Sequence, residues 1–230
     1  MSGRPRHPAL VILFSLVVTG IDALLLALAL GGVTALLHHP RALALLAVWA
    51  VTGMTLALLH PVRAQDRVAE TRDPAWRLLA LLIVPMLIPP VAAWGERAHL
   101  LPLPGGPALR WAGVALVAAG LTVRILAMTT LGNRFAPIPA LQREHVLETR
   151  GLYATVRHPG YLGAWLAALG AVLAFGNNLA LPLVIVFAVL LAARVRDEER
   201  LLDHHLGAAW QDYRRRTGAF LPRLGSPRQS

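Results

Sequence analysis

Long apolar runs alternate with short polar segments along this chain, at lengths that match a lipid bilayer. A hydrocarbon core needs about 20 apolar residues per helix. On that criterion residues 9–37 form a first span, with Asp22 as its only charge, and residues 43–59 a second, separated by a turn at His38-His39-Pro40. The polar stretch 60–77 leads to a third span, 78–94. In it Pro85, Pro89 and Pro90 predict a kink or an early end, because none has an amide hydrogen to continue the helix. A Gly/Pro-rich loop, 101–107, precedes a fourth span, 108–130. The connector that follows, 131–158, is long enough to be expected to be functional or disordered.

A fifth helix begins at Pro159, a residue suited to the first helical turn, and ends near Phe175. Gly176-Asn177-Asn178 signals a tight turn, and a sixth helix runs from 179 through 193 and onward without a breaker. The last two helices have only about 15 to 17 apolar residues each, short for an upright span. They predict a helical hairpin whose second arm leaves the bilayer as an amphipathic helix reaching Arg215. The expected fold is all-α: a polytopic integral membrane protein of about six transmembrane helices, with a C-terminal helical hairpin and a cytosolic amphipathic helix.

Composition agrees, with 56% hydrophobic and 15% charged residues. A net charge of +10 raises nucleic acid as a partner. However, the basic residues punctuate apolar runs instead of forming a stripe, so membrane lipids are the expected partners and nucleic acid is not. All 22 basic residues are Arg, which with the heavy use of Ala and Leu fits a GC-rich bacterial genome. Placing the N-terminus in the cytosol puts 18 of the 22 on cytosolic segments, the orientation favoured by the positive-inside rule. Both termini and both specific polar segments then face the cytosol. The N-terminal residues resemble a signal peptide, but the apolar run is far longer than its ~7–15-residue core, so a retained first span is expected. With no Cys, thiolate chemistry and disulfides are excluded.

Two segments carry candidate chemistry. In residues 148–163, ETRGLYATVRHPGYLG, Pro159 holds His158 at a helix entrance, where free amide hydrogens suit a ligand carboxylate. The plainer alternative is a capping His158 and an Arg157 that anchors the loop to lipid phosphate. In the second segment Arg194 and Glu198 lie four apart on one helix face, beside Glu199. They form either an ordinary surface ion pair or a site that holds an anionic acceptor beside a zwitterionic cofactor. Within the spans, Arg124 either snorkels to the interface or faces the bundle interior and neutralises an acceptor head group. Asp22 needs a buried partner that the sequence does not name.

In order and spacing, these elements resemble the isoprenylcysteine carboxyl methyltransferase family of integral membrane enzymes. The resemblance covers residues 131–222: Leu131-Gly132-Asn133, His145-Val146-Leu147, Gly151-Leu152-Tyr153, Arg157 to Tyr161, the Gly-Asn-Asn turn, Arg194, Glu198-Glu199, Gly207, Tyr213 and Phe220-Leu221-Pro222. It implies one membrane domain, with 1–107 as an apolar helical scaffold, 108–222 as a methyltransferase-like core with a cytosolic cofactor pocket, and 223–230 as a basic tail. It also implies S-adenosyl-L-methionine as cofactor. His145, Val146, Leu147 and Glu148 would border that cofactor, Tyr153 would pack on it, and His158, Pro159, Gly160 and Tyr161 would contact its polar end. Glu198 would bind the cofactor and Arg194 the acceptor, these two being the catalytic pair, with Arg124 as a second acceptor-binding residue. No metal is implied. Residue 148 is Glu where the family has an apolar residue.

The acceptor expected in a bacterial membrane is a lipophilic small molecule or lipid, with a carboxylate first and a phospholipid amine or a thiol as alternatives. Two other readings are an NADPH-dependent enzyme of the sterol-reductase type, which the Glu198-Glu199 pair and the absence of Cys disfavour, and a non-catalytic lipid-binding membrane protein.

Overall fold

The computed structural model describes residues 8–59, 67–70, 74–132, 140–142 and 147–223, with side chains over 12–59, 74–132 and 147–223. The described helices are α1 Pro8–Leu30, α2 Val33–Leu37, α3 Pro40–Leu59, α4 Ala75–Arg97, α5 Pro107–Leu131, α6 Pro159–Phe175, α7 Leu181–Leu206 and α8 Ala208–Arg216. Five of them (α1, α3, α4, α5 and α7) are long and apolar enough to cross a membrane, while α6 is shorter. Along their apolar stretches they expose many large Leu, Val, Ile, Phe and Trp side chains, as lipid-facing surfaces require. The chain is therefore a polytopic integral membrane protein built on an α-helical bundle.

Three boundaries differ from the hydropathy reading. The first run does not continue to Leu37: Gly31 and Gly32, with φ of 101° and 130°, break it into α1 and the short α2. A Cβ on Gly31 would lie 2.8 Å from the guanidinium carbon of Arg97, so the turn also makes room for that side chain. Helix α4 does not end early; it runs through Pro85, Pro89 and Pro90 to Arg97. The last helix does break, at Gly207 (φ 49°), and α8 returns to bury Trp210 and Tyr213.

One end of the bundle is closed by an ion cluster centred on Glu96. Its Oε1 accepts from Arg41 Nη2 at 2.8 Å and from Arg110 Nη1 at 2.9 Å, and its Oε2 lies 3.2 Å from His39 Nε2. Arg41 also donates to the carbonyl of Ala174 near the end of α6. Asn178 N donates to Leu101 O at 2.9 Å and Leu103 N to Gly176 O at 2.8 Å, tying the α6–α7 turn to the α4–α5 loop. The α6–α7 turn thus reaches the same end of the bundle as the α4–α5 loop, and the 17 residues of α6 extend about 25 Å from it.

Helices α5 and α6 approach most closely along a glycine seam. Gly113 and Gly120 on α5 face Gly170 and Gly163 on α6, both pairs seven residues apart. A Cβ on Gly120 would meet Gly163 O at 2.5 Å, and one on Gly170 would meet Val117 N at 2.7 Å. Only hydrogen side chains allow this backbone contact, the usual device for close helix packing in lipid. Outside the bundle, strands β1 (Arg67–Glu70) and β2 (Ala140–Gln142) form an antiparallel ribbon that joins the α3–α4 loop to the connector.

Candidate active site

At the end opposite the Glu96 cluster, the two polar segments meet. The left-handed Gly151 opens a 3-10 turn over residues 151–154, and the chain then runs extended into the Arg157-His158-Pro159 step. The segment after α8 lies alongside it: Gly218 N donates to Thr155 O, Arg157 N to Gly218 O and His158 N to Ala219 O, at 3.1, 2.8 and 3.0 Å. The Phe220-Leu221-Pro222 motif therefore ends a strap across the start of α6, and the Phe220 ring lies 6.2 Å from that of His158.

Arg157 is 8% exposed and does not reach lipid phosphate. Its Nε donates to Glu199 Oε1 at 2.9 Å and its Nη1 to the carbonyls of Thr217 and of Arg214, the latter at 3.2 Å. Trp210 packs on the guanidinium, 5.9 Å from ring centroid to carbon. His158 makes no side-chain cap; its Nε2 lies 3.2 Å from the same Glu199 oxygen. Glu199 thus fixes the Arg-His-Pro step from α7 and belongs to the scaffold of the site. The neighbouring Glu198 is turned the other way, into the cavity.

Glu198, Tyr161 and Arg194 form a relay. Tyr161 donates its hydroxyl to Glu198 Oε2 and accepts from Arg194 Nε, both at 3.0 Å. Arg194 is 5% exposed. Arg124, on α5, donates from Nη1 to Gly160 O at 3.2 Å, so it faces the bundle interior and does not snorkel. Tyr153 is buried, and its phenol is pushed up by that burial and by the Glu198 charge, so it remains neutral. Tyr213 donates to Tyr153 O at 2.8 Å, and its own phenol is pushed up to about 12, chiefly by burial.

All these groups open onto one cavity of about 860 Å³, towards the upper end of small-molecule sites. Leu147, Glu148, Tyr153, His158, Gly160, Tyr161, Arg194, Glu198 and Arg124 all line it. Pro159 does not; it is buried in the first turn of α6 and acts by fixing His158. His145 and Val146 lie outside the described residues. Glu148 is 8% exposed, and its carboxylate accepts from Arg150 N, Nε and Nη2 at 3.1, 2.9 and 3.0 Å, which pins the loop in front of Tyr153. Beyond the polar mouth the walls become apolar, with Leu81, Pro85 and Met86 of α4, Leu121 of α5 and Phe187 and Leu191 of α7. Exposed Phe14, Val18 and Leu82 form its lipid-side rim. Among the described residues no group of three or more His, Asp or Glu is placed to hold a metal ion.

Sequence reasoning missed the anchoring role of Arg157 with Glu199 and the aromatic cover from Trp210. The first depends on a contact spanning 42 residues, which no local pattern encodes. The glycine seam left a readable signal, the seven-residue spacing on both helices.

Comparison with known proteins supports the same region. Residues 113–204 match the isoprenylcysteine carboxyl methyltransferase (ICMT) family profile. The protein-S-isoprenylcysteine O-methyltransferase of Saccharomyces cerevisiae is 35% identical over 113 residues, 48% of this chain and 47% of its own length. That of Schizosaccharomyces pombe is 33% identical over 45% of each chain, so the chain spans about half the length of these relatives. The nickel-cobalt-cadmium resistance protein NccN of Alcaligenes xylosoxydans xylosoxydans is 28% identical over 73% of this chain and 72% of its own. The fold matches the solved structure of the eukaryotic intramembrane Ras methyltransferase ICMT with a TM-score of 0.57 at 20% identity, over 86% of this chain and 72% of that one. Residues 113–204, from the α5–α6 seam through the Arg157-His158-Pro159 step to the charged end of α7, are thus similar to the isoprenylcysteine carboxyl methyltransferase family.

Proposed function

We propose that this protein is an S-adenosylmethionine-dependent methyltransferase of the bacterial inner membrane that esterifies the carboxylate of a lipophilic acceptor. The observation that carries the reading is the single cavity that joins a mouth holding Arg194, Tyr161, Glu198 and Arg124 to an apolar interior with a lipid-side rim. The mouth suits a cationic donor. Glu198 offers carboxylate oxygens, and Tyr153, Trp210 and Tyr213 offer aromatic faces, the two groups that attract a sulfonium or ammonium. The positive-inside count supports a cytosolic mouth, where such a cofactor is available.

When bound, the cofactor supplies a methyl group on a positively charged sulfur, and this charge disappears as a nucleophile attacks. Arg194, buried and held by Tyr161, aims the acceptor carboxylate, with Arg124 adding a second positive charge from α5. An ionised carboxylate needs no general base, so the chain's task is alignment and the exclusion of water. Tyr161 couples the two halves by touching both Arg194 and Glu198. The strap of residues 217–220 and the Glu199 anchor hold His158 and Gly160 at the cavity wall. A prenylated protein end, the substrate class in the yeast relatives' name, and a free lipophilic acid present the same carboxylate chemistry.

The test is calorimetric titration of the detergent-purified protein with S-adenosylhomocysteine, with NADPH in parallel. The expected result is micromolar binding of S-adenosylhomocysteine alone, abolished in Glu198→Ala while the fold is retained. Binding of NADPH alone, or of neither by folded protein, would overturn the assignment.

A further inference from the structure

A second depression, of about 190 Å³, lies where α7 meets α8 and is lined by Arg196, Glu199, Arg200 and Asp203 of α7 and Arg214 of α8. That volume is below the ~300 Å³ at which sites for whole small molecules begin, so the groove suits a group of headgroup size. With 3.6 residues per turn, these α7 positions fall on the side of the helix opposite Phe187, Leu191, Arg194 and Glu198, which line the cavity.

The same side of α7 faces lipid further along the helix, where Ile185, Val186 and Val189 are exposed. Arg196 follows Ile185 by eleven residues, which is three helical turns, and Arg200 follows Val189 by the same interval. The two arginines therefore continue the lipid-facing stripe, past Val195, where the sequence turns from apolar to charged. Arg196 lies about 10 Å along the axis from Val189, at the boundary where lipid phosphates sit.

The charges around the groove do not cancel. Asp197 is held by Arg77 at 2.6 Å, and its contact with Arg200 is long, at 3.7 Å. Glu199 is engaged from behind by Arg157 at 2.9 Å and lies 3.9 Å from Arg214. Asp203 accepts from Gln211 at 3.4 Å. Arg196 is exposed and has no hydrogen bond or ion pair among the described residues. Arg77, Arg157, Arg196, Arg200 and Arg214 thus face Asp197, Glu199 and Asp203, a surplus of two positive charges.

We propose that the groove between α7 and α8 binds the phosphodiester of an anionic phospholipid in the leaflet on the side of the cavity mouth. Arg196, Arg200 and Arg214 take the phosphate oxygens, a role that the guanidinium fork suits, and the acyl chains lie along Ile185, Val186 and Val189. The positive surplus selects a headgroup of net negative charge, and continuity with the lipid-facing stripe selects a lipid over a soluble acidic partner. The site is separate from the methyl-transfer cavity and does not depend on the reaction assigned to it.

The experiment is a melting titration of the full chain in detergent with phosphatidylglycerol, with phosphatidylcholine and glycerol 3-phosphate in parallel. The expected result is a saturable rise in melting temperature with phosphatidylglycerol and none with the other two at the same concentration. Each groove arginine near an anionic headgroup contributes about fivefold in affinity, so Arg196→Gln with Arg200→Gln should weaken the apparent affinity roughly 25-fold. Either single substitution, at about fivefold, gives the same comparison if the double variant does not fold. Arg215→Gln, exposed on α8 outside the groove and paired with Asp212, should change the affinity less than twofold. Equal stabilisation by phosphatidylcholine would overturn the anionic selectivity, and equal stabilisation by glycerol 3-phosphate would overturn the lipid. An unchanged affinity in the groove variants, or an equal loss in Arg215→Gln, would replace the site with a diffuse surface charge.

Discussion

Replacing Gly120 with Ala adds one methyl group where α5 and α6 are in backbone contact along the seam. The new Cβ would lie 2.5 Å from Gly163 O, 2.7 Å from Ala167 N and 3.2 Å from Leu166 Cβ. An ordinary carbon–oxygen contact is about 3.3 Å or longer, so the helices would have to part by roughly 0.8 Å. The obstructing atoms are mainly backbone, so no rotamer change relieves them. Overpacking of this kind costs about 1–3 kcal/mol, against a gain of up to about 1 kcal/mol in helix propensity. The net expectation is a loss of about 1–2 kcal/mol, or roughly 4 °C in melting temperature for a chain of this size. Gly20→Ala is the matched control, because nothing lies within 4 Å of its Cβ position and it should leave melting unchanged or raise it. Thermal unfolding in detergent, read by circular dichroism, compares the two. A Gly120→Ala protein that melts at or above the wild type would refute the close-packed seam, and with it the reason α5 holds Arg124 against Gly160.

Two further predictions concern the mouth. Glu199→Gln leaves Arg157 and His158, both buried, without their shared carboxylate and should cost about 3 kcal/mol. S-adenosylhomocysteine affinity should fall with it, measured by melting and calorimetry on one preparation; unchanged values in both would contradict the anchoring role. Tyr213 has its folded pKa raised from 10.0 to about 12, so its contribution is fully present below pH 10 and is lost as the pH rises through 12. The alkaline loss of stability between these values should be smaller in Tyr213→Phe, as pH-dependent melting would show.

Hydropathy and proline and glycine positions located most of the spans and the hairpin, because a bilayer imposes length and polarity constraints that act residue by residue. They ran the helices through Gly31-Gly32 and through Gly207, where glycine permits a turn without requiring it. They left a kink or an early end open at the prolines of α4, and the helix continues through them to Arg97, packed against α1, α6 and α7. Motif order brought Tyr161, Arg194 and Glu198 to notice, since each falls at a fixed distance from a helix terminus or a turn.

The sequence by itself determined that the chain is a membrane-embedded helical bundle with two specific polar segments at one end, because hydrophobicity and helical spacing are local properties. Only the tertiary structure decided how those segments work. It turned Glu199 to the Arg157-His158 anchor and Glu198 to the cavity, laid residues 217–220 against the start of α6, and aimed Arg124 and Asp22 into one passage. Each of these depends on contacts between helices far apart in the chain, and the direction of a side chain across such an interface is fixed by packing, which no single segment encodes.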